Sequence, residues 1–153
     1  MKLVKHAKWM FVVVSALALG IAAGARAEKK PGMSVTPPTE VKWSPMDPKA
    51  GDKGPQTAVV FGDPAKGPVG ILVKFPPGAR PGPHIHTSDY WGVEISGKEH
   101  DFTPGGDEGK AVGPGGFWFQ PGKAPHDNHC EEGSECIVFL YLPHAFDLKP
   151  VSK

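Results

Sequence analysis

From Thr57 onward the chain is a series of short apolar runs separated by turn residues. Val69, Ile71, Val73 and Phe75 fall on one side of an alternating segment and Gly70, Leu72 and Lys74 on the other. That is the period of a strand and not of a helix. Pro76-Pro77-Gly78 ends it. Similar punctuation predicts strands over Thr57 to Phe61, closed by Gly62-Asp63-Pro64, over Tyr90 to Ser96 and Lys98 to Phe102 around Gly97, and over Gly116 to Gln120. Thr103 to Gly109 reads as a polar loop, and the continuous apolar run Cys136 to Leu142 as a strand buried on both faces. About seven strands at spacings of about ten residues predict a sandwich or barrel.

The N-terminal pattern is different. Met1 to Lys8 carries three lysines, Trp9 to Ala23 is apolar except for Ser15 and Gly20, and Ala25-Arg26-Ala27 precedes Glu28. These are the three parts of an export signal, with cleavage expected after Ala27. The apolar stretch is shorter than the roughly 20 residues a membrane-spanning helix needs. No twin arginine is present, and no cysteine stands near the cleavage point to accept a lipid. The expected product is soluble and periplasmic or secreted, without a membrane anchor. Residues 28–56 are polar and rich in Pro, Gly and Lys, and predict an irregular arm with Trp43 and Met46 as its anchors. The barrel would then span 57–148, followed by a short tail over 149–153.

Composition narrows this further. All 18 prolines stand at or after Pro31, and with 20 glycines they make up about a quarter of the chain, which is hostile to long helices. The same composition is compatible with disorder, but 39% apolar residues supply a core. Removing Lys2, Lys5, Lys8 and Arg26 with the leader leaves 13 basic residues of the 17 against 16 acidic ones. A weakly acidic domain with no basic run has no electrostatic footprint for nucleic acid or for an anionic membrane. A small-molecule substrate or ligand is the expected partner, and a homodimer is left open.

His84 and His86 are one residue apart. If that segment is extended, their rings leave the same face about 7 Å apart at the backbone. Pro81 and Pro83 hold the approach extended. His126 follows Pro121-Gly122-Lys123-Ala124-Pro125, a turn-and-extend sequence of similar style. In an antiparallel barrel the intervening chain is long enough to return a third imidazole to the same place.

The run Gly78…His84-Ile85-His86…Tyr90…Gly97, followed by Gly115…Pro121…His126, resembles the two motifs of the cupin superfamily. Among cupins the chain is similar to small exported single-domain members, a group also compared with diketone-cleaving dioxygenases. The resemblance implies an all-β fold, a six-to-eight-stranded jelly-roll barrel, with one divalent transition metal bound inside by His84, His86 and His126. Iron is the favoured ion, with zinc, nickel or manganese as alternatives. Three positions depart from the family pattern: Tyr90 stands where a ligating glutamate is usual, Cys130 where asparagine often ends the second motif, and Lys123 where a glycine is usual.

An ion held by three neutral imidazoles keeps its full charge and favours anionic oxygen ligands. Tyr90 then suggests a hydroxyl that orients a bound water or substrate, with core packing as the plainer alternative. Asp89 and Glu94 are the nearest acids, and Glu94 is expected to be a pocket carboxylate that shares proton handling with Tyr90. The readings that follow are a dioxygenase-like metalloenzyme for a small oxygenated substrate, a hydrolase or isomerase if the metal is not iron, a non-enzymatic metal or ligand binding module, and a barrel that has lost its metal.

Cys130 and Cys136 flank a turn, where an oxidising compartment permits a disulfide; the alternative is a reactive or ligating thiol at Cys130. His129 is expected to face away from His126 toward solvent. No role falls to His100 or His144. Phe117, Trp118 and Phe119 are expected to pack in the core and at its rim, one of them over the pocket.

Overall fold

The structure is a computed structural model that describes residues 32–151. The leader expected over 1–27 and the start of the arm lie outside the described residues. Thr36–Lys153 forms one compact unit. Its strands are β1 (Ser44–Pro45), β2 (Gln56–Gly62), β3 (Val69–Phe75), β4 (His84–Ile85), β5 (Tyr90–Ser96), β6 (Glu99–Phe102), β7 (Phe117–Gln120), β8 (Asp127–Cys130), β9 (Cys136–Leu142) and β10 (Lys149–Pro150). Two single 3-10 turns, Pro38–Glu40 and Gly51–Lys53, are the only helical elements among the described residues. The chain is all-β.

Six strands form one antiparallel sheet in the order β1-β2-β3-β9-β5-β7, while β10 pairs with β4 and β6 with β8. A bridge between His84 and His126 joins these two smaller sheets. Period-two burial fills the space between the layers. Val69, Ile71, Val73 and Phe75 of β3, Val138, Leu140 and Leu142 of β9, Tyr90 and Cys130 belong to one buried cluster. β9 is a correction to its expected burial on both faces: Cys136, Val138, Leu140 and Leu142 point inward, whereas Ile137 and Phe139 are half-buried and Tyr141 is exposed. Among the described residues nothing covers the outer face of the large sheet completely, so the run is apolar on both sides but buried on one.

Two glycines are required by close approach. Gly97, at φ +87°, turns β5 into β6, and a Cβ there would lie 2.6 Å from the carbonyl oxygen of Glu135. Gly92 points inward in β5, where a Cβ would come within 2.2 Å of the indole of Trp118. The missing side chain makes room for the indole, which packs against the core.

The arm adds β1 to the edge of β2. Lys74 lies over the Trp43 ring, 4.5 Å from its centroid. Cys130 and Cys136 are joined in a disulfide across the turn from β8 to β9, which removes the thiol alternative for Cys130. The bridge closes a short loop, so reducing it should lower the unfolding free energy by about 2 kcal/mol. Urea unfolding with and without a phosphine reductant measures this, and an unchanged midpoint would contradict it.

Candidate metal centre and interior cavity

β4 carries His84 and leads directly to His86, so the two rings share the inward face. The backbone of His84 is paired reciprocally with that of His126: His84 N donates to the His126 carbonyl at 2.9 Å, and His126 N donates to that of His84 at 3.0 Å. These two bonds bring the third imidazole to the first pair. All three side chains are buried, and their ligand nitrogens lie within 4.8 Å of one another. The ring centroids of His84 and His126 are 4.2 Å apart.

The nitrogens facing away from the cluster are tied down. His84 Nδ1 donates to the Gly82 carbonyl at 2.8 Å, and His86 Nδ1 donates to the Asp147 carbonyl. Each bond fixes the tautomer that leaves Nε2 with a free lone pair. His126 Nε2 faces the Tyr90 hydroxyl at 3.1 Å, and its Nδ1 is buried without a partner.

Burial holds His84 below its ordinary pKa against the opposing effect of the Gly82 hydrogen bond. It pushes His86 down to about 4 and, helped by the proximity of His84 and His86, His126 to about 3. The three rings are therefore neutral at physiological pH, the state in which imidazole ligates a metal. Such a set of converging, neutral imidazoles fits a divalent transition ion. Tyr90 goes the other way: burial, then the nearby Asp101, raises its phenol so that it keeps its proton. It is a hydrogen-bond donor at this site and not an anionic ligand in place of the family's glutamate.

His84, His86 and Tyr90 line an interior cavity of about 430 Å³ whose walls are otherwise largely apolar, with Phe75, Val138, Leu140 and Phe146 among them. Met46 from the arm and Leu148 from the C-terminal segment complete it. Glu94 is 1% exposed, and neither of its carboxylate oxygens has a partner. Burial, then Asp101, raises it to about 8. The acids that reach the cavity wall are instead Asp47 of the arm and, on β6, Glu99 and Asp101, the last two accompanied by Asn128. Sequence reasoning passed over Glu99, Asp101 and Asn128. Their signal was the inward period shared by Glu99 and Asp101 in β6, and by His126 and Asn128 on the facing strand. Asp89 is used structurally, accepting from Gly122 N at 2.7 Å. Lys123 adopts φ +63° where the family's glycine would be relaxed, and its N–H donates to the His86 carbonyl at 2.7 Å.

Asp147 was also missed, because nothing in its local sequence marks it. Its carboxylate accepts from Thr87 N at 2.7 Å and from the Thr87 hydroxyl, and pairs with Lys149 at 2.8 Å, while its carbonyl receives His86. Of the aromatic trio, Trp118 lines the cavity, but Phe117 and Phe119 point outward and are exposed, a correction to the expected core packing. Their strand pairs with the outermost part of β5, so the period-two pattern leaves only the middle ring inside. His129 is not simply solvated: it stacks on His100 with centroids 4.9 Å apart and meets Glu108 at 3.1 Å.

A family model described as a domain of unknown function, DUF4437, matches residues 35–152. The chain belongs to this family. Solved structures show that it has the cupin fold. It is similar to the polyketide cyclase RemF from Streptomyces resistomycificus at 21% identity, with 80% of this chain and 87% of that one covered and a TM-score of 0.61. KdgF from Halomonas sp. is 24% identical, with 72% and 94% covered and a TM-score of 0.55. An RmlC-like cupin from Ralstonia eutropha is 16% identical, with 77% and 79% covered and a TM-score of 0.59. No curated protein matches the chain. At these identities the likenesses show the cupin fold.

The buried groups of this cupin give stability a definite pH dependence. The histidines, held below 6.5, bind fewer protons folded than unfolded, so metal-free protein loses stability as pH falls below about 6.5. Glu94, raised from 4.5 to about 8, binds more protons folded than unfolded, so stability also falls as pH rises toward about 8. Between pH 6.5 and 8 only the acids act among these groups, and Glu94→Gln should flatten that limb. Urea midpoints across this range are the measurement; a midpoint that climbs with pH there would refute the assignment.

Proposed function

We propose that this cupin is an exported metalloprotein that binds one divalent transition metal through His84, His86 and His126 and acts as an enzyme on a small oxygenated organic molecule. The observation that carries this reading is the placement of three neutral, buried, converging imidazoles against a largely apolar cavity large enough for a small substrate. Bound iron would supply dioxygen chemistry on a chelating substrate, whereas zinc, nickel or manganese would supply Lewis-acid polarisation for hydrolysis or isomerisation. The protein's own residues do the rest. Tyr90, protonated and 3.1 Å from His126, is placed to donate a hydrogen bond to a substrate oxygen beside the three histidines. Glu94 is buried on the same strand but does not border the cavity, so the proton handling expected of it is left to Tyr90. That the similar RemF is a polyketide cyclase supports small-molecule chemistry in such a barrel. The leader pattern and the disulfide support export.

Elemental analysis of the exported, untagged protein beside a His84→Ala, His126→Ala variant tests the metal. About one equivalent in the native protein and loss of at least nine-tenths of it in the variant is expected. Absence of stoichiometric metal after both aerobic and anaerobic purification would sink the reading. With iron present, oxygen uptake on a panel of 1,3-diketones separates an enzyme from a binding module; no uptake favours the module.

The outer face of the large sheet supports a homodimer. Trp91 lies 5.2 Å from Phe119 and 6.1 Å from Tyr141, and Phe61 lies 6.4 Å from Tyr141 by ring centroids. Val93, Ile95 and Phe117 are exposed beside them. An apolar face with none of these positions charged suits a second copy of the chain, since identical surfaces then meet without like-charge repulsion. Sedimentation should give a dimer at micromolar concentration and a monomer for Trp91→Glu with Phe119→Glu, whose metal content is retained. A monomeric native protein would contradict this.

A further inference from the structure

The cavity has a second polar end, distinct from the histidines. Glu99 and Asp101 share the inward face of β6; in register Glu99 stands opposite Cys130 and Asp101 opposite Asn128. Asn128 follows His126 by two residues, so the amide and the imidazole share a face about 7 Å apart along the strand. Asn128 Nδ2 donates to Glu99 Oε1. Glu99 is 1% exposed and borders the cavity, yet its Oε2 has no partner, and Asp101 Oδ2 is likewise buried and unpaired.

Buried acceptor oxygens are costly to leave without donors, and where they border a cavity the donor is supplied by what occupies it. Two carboxyl groups enclosed together also repel as anions. Burial first, and for Glu99 the proximity of Asp101 next, raises both above the usual carboxylate range. A positively charged donor relieves both penalties at once, whereas a neutral donor relieves only the first. Among the described residues no lysine or arginine borders the cavity. Trp118 and Tyr90 line the same cavity and offer π-systems that attract a cation.

We propose that the Glu99, Asp101 and Asn128 end of the cavity binds an alkylammonium group, so that the substrate class is a short molecule with an amine at one end and a metal-directed oxygen function at the other. The ammonium donates to Glu99 Oε2 and Asp101 Oδ2, and its alkyl stem lies along the apolar wall toward the histidines. Only the oxygen end rests on the metal reading above; the ammonium end stands on its own residues.

The test is an NMR titration of the full chain at physiological ionic strength with n-butylammonium chloride and, separately, with n-butanol, which has the same stem and a neutral donor. Metal content is measured on the same sample. The expected result is at least tenfold tighter binding of butylammonium, with chemical-shift changes at Trp118 and Asn128, and a preference reduced to within twofold in Glu99→Gln with Asp101→Asn. Equal affinity of the two probes for the native protein overturns the proposal, as does a preference that survives the double substitution. The native comparison decides the matter even if the double variant does not fold. A sample without metal that still prefers butylammonium removes the metal reading and retains this one. A metal-loaded sample that does not distinguish the probes does the reverse, and leaves the acids as a counterweight to the metal's charge.

Discussion

The reciprocal pair of backbone hydrogen bonds between His84 and His126 is the contact on which the candidate site depends. It is the bridge that joins the β10-β4 and β6-β8 sheets. The same two bonds set the register that places His126 opposite His84, and by the two-residue period they place Asn128 beyond it on the inward face. A one-residue slip would turn His126 outward and bring Asp127 in. The surrounding restraints act on this register. The disulfide closes the turn that follows β8, and β10 pins β4 from the other side while Asp147 receives the His86 ring.

Burial then sorts the titratable groups by charge type. It favours the uncharged form of every group it encloses, which makes ligands of the imidazoles and proton carriers of the carboxyl groups and of Tyr90. One physical cause therefore produces a cluster ready for a cation at one end of the cavity and acceptor oxygens at the other. Tyr90 leaves the histidines without an adjacent carboxylate ligand, and the paired interior acids lie on β6, where Glu99 and Asp101 face the strand that carries Asn128. Structural roles are separated from these. Gly92 makes room for Trp118, and Asp89 and Lys123 hold the loop before His126 by bonds to backbone.

Much of the fold was legible because a strand advertises itself locally. β3, β5 and β9 have the bounds that alternation and turn residues predicted, Val69–Phe75, Tyr90–Ser96 and Cys136–Leu142. The histidine trio was legible because two rings at period two and a third in a proline-bounded turn form a joint pattern that few other arrangements explain. β1, β4, β8 and β10 were not legible. They are two to four residues long, too short for a period, and exist because a neighbour pairs with them.

The chain alone determined the all-β class, the alternating faces of its longer strands, and the chemical identity of the three imidazoles, since each of these is written within a few residues of itself. Only the tertiary structure decided which acids share a cavity, which aromatics of Phe117-Trp118-Phe119 lie inside, and that the Asp147 carbonyl orients His86 from 61 residues away. Those outcomes depend on the register between strands distant in sequence and on what covers each face. Neither is a property of any segment by itself, because a side chain's charge state and partners are set by the groups that folding packs around it.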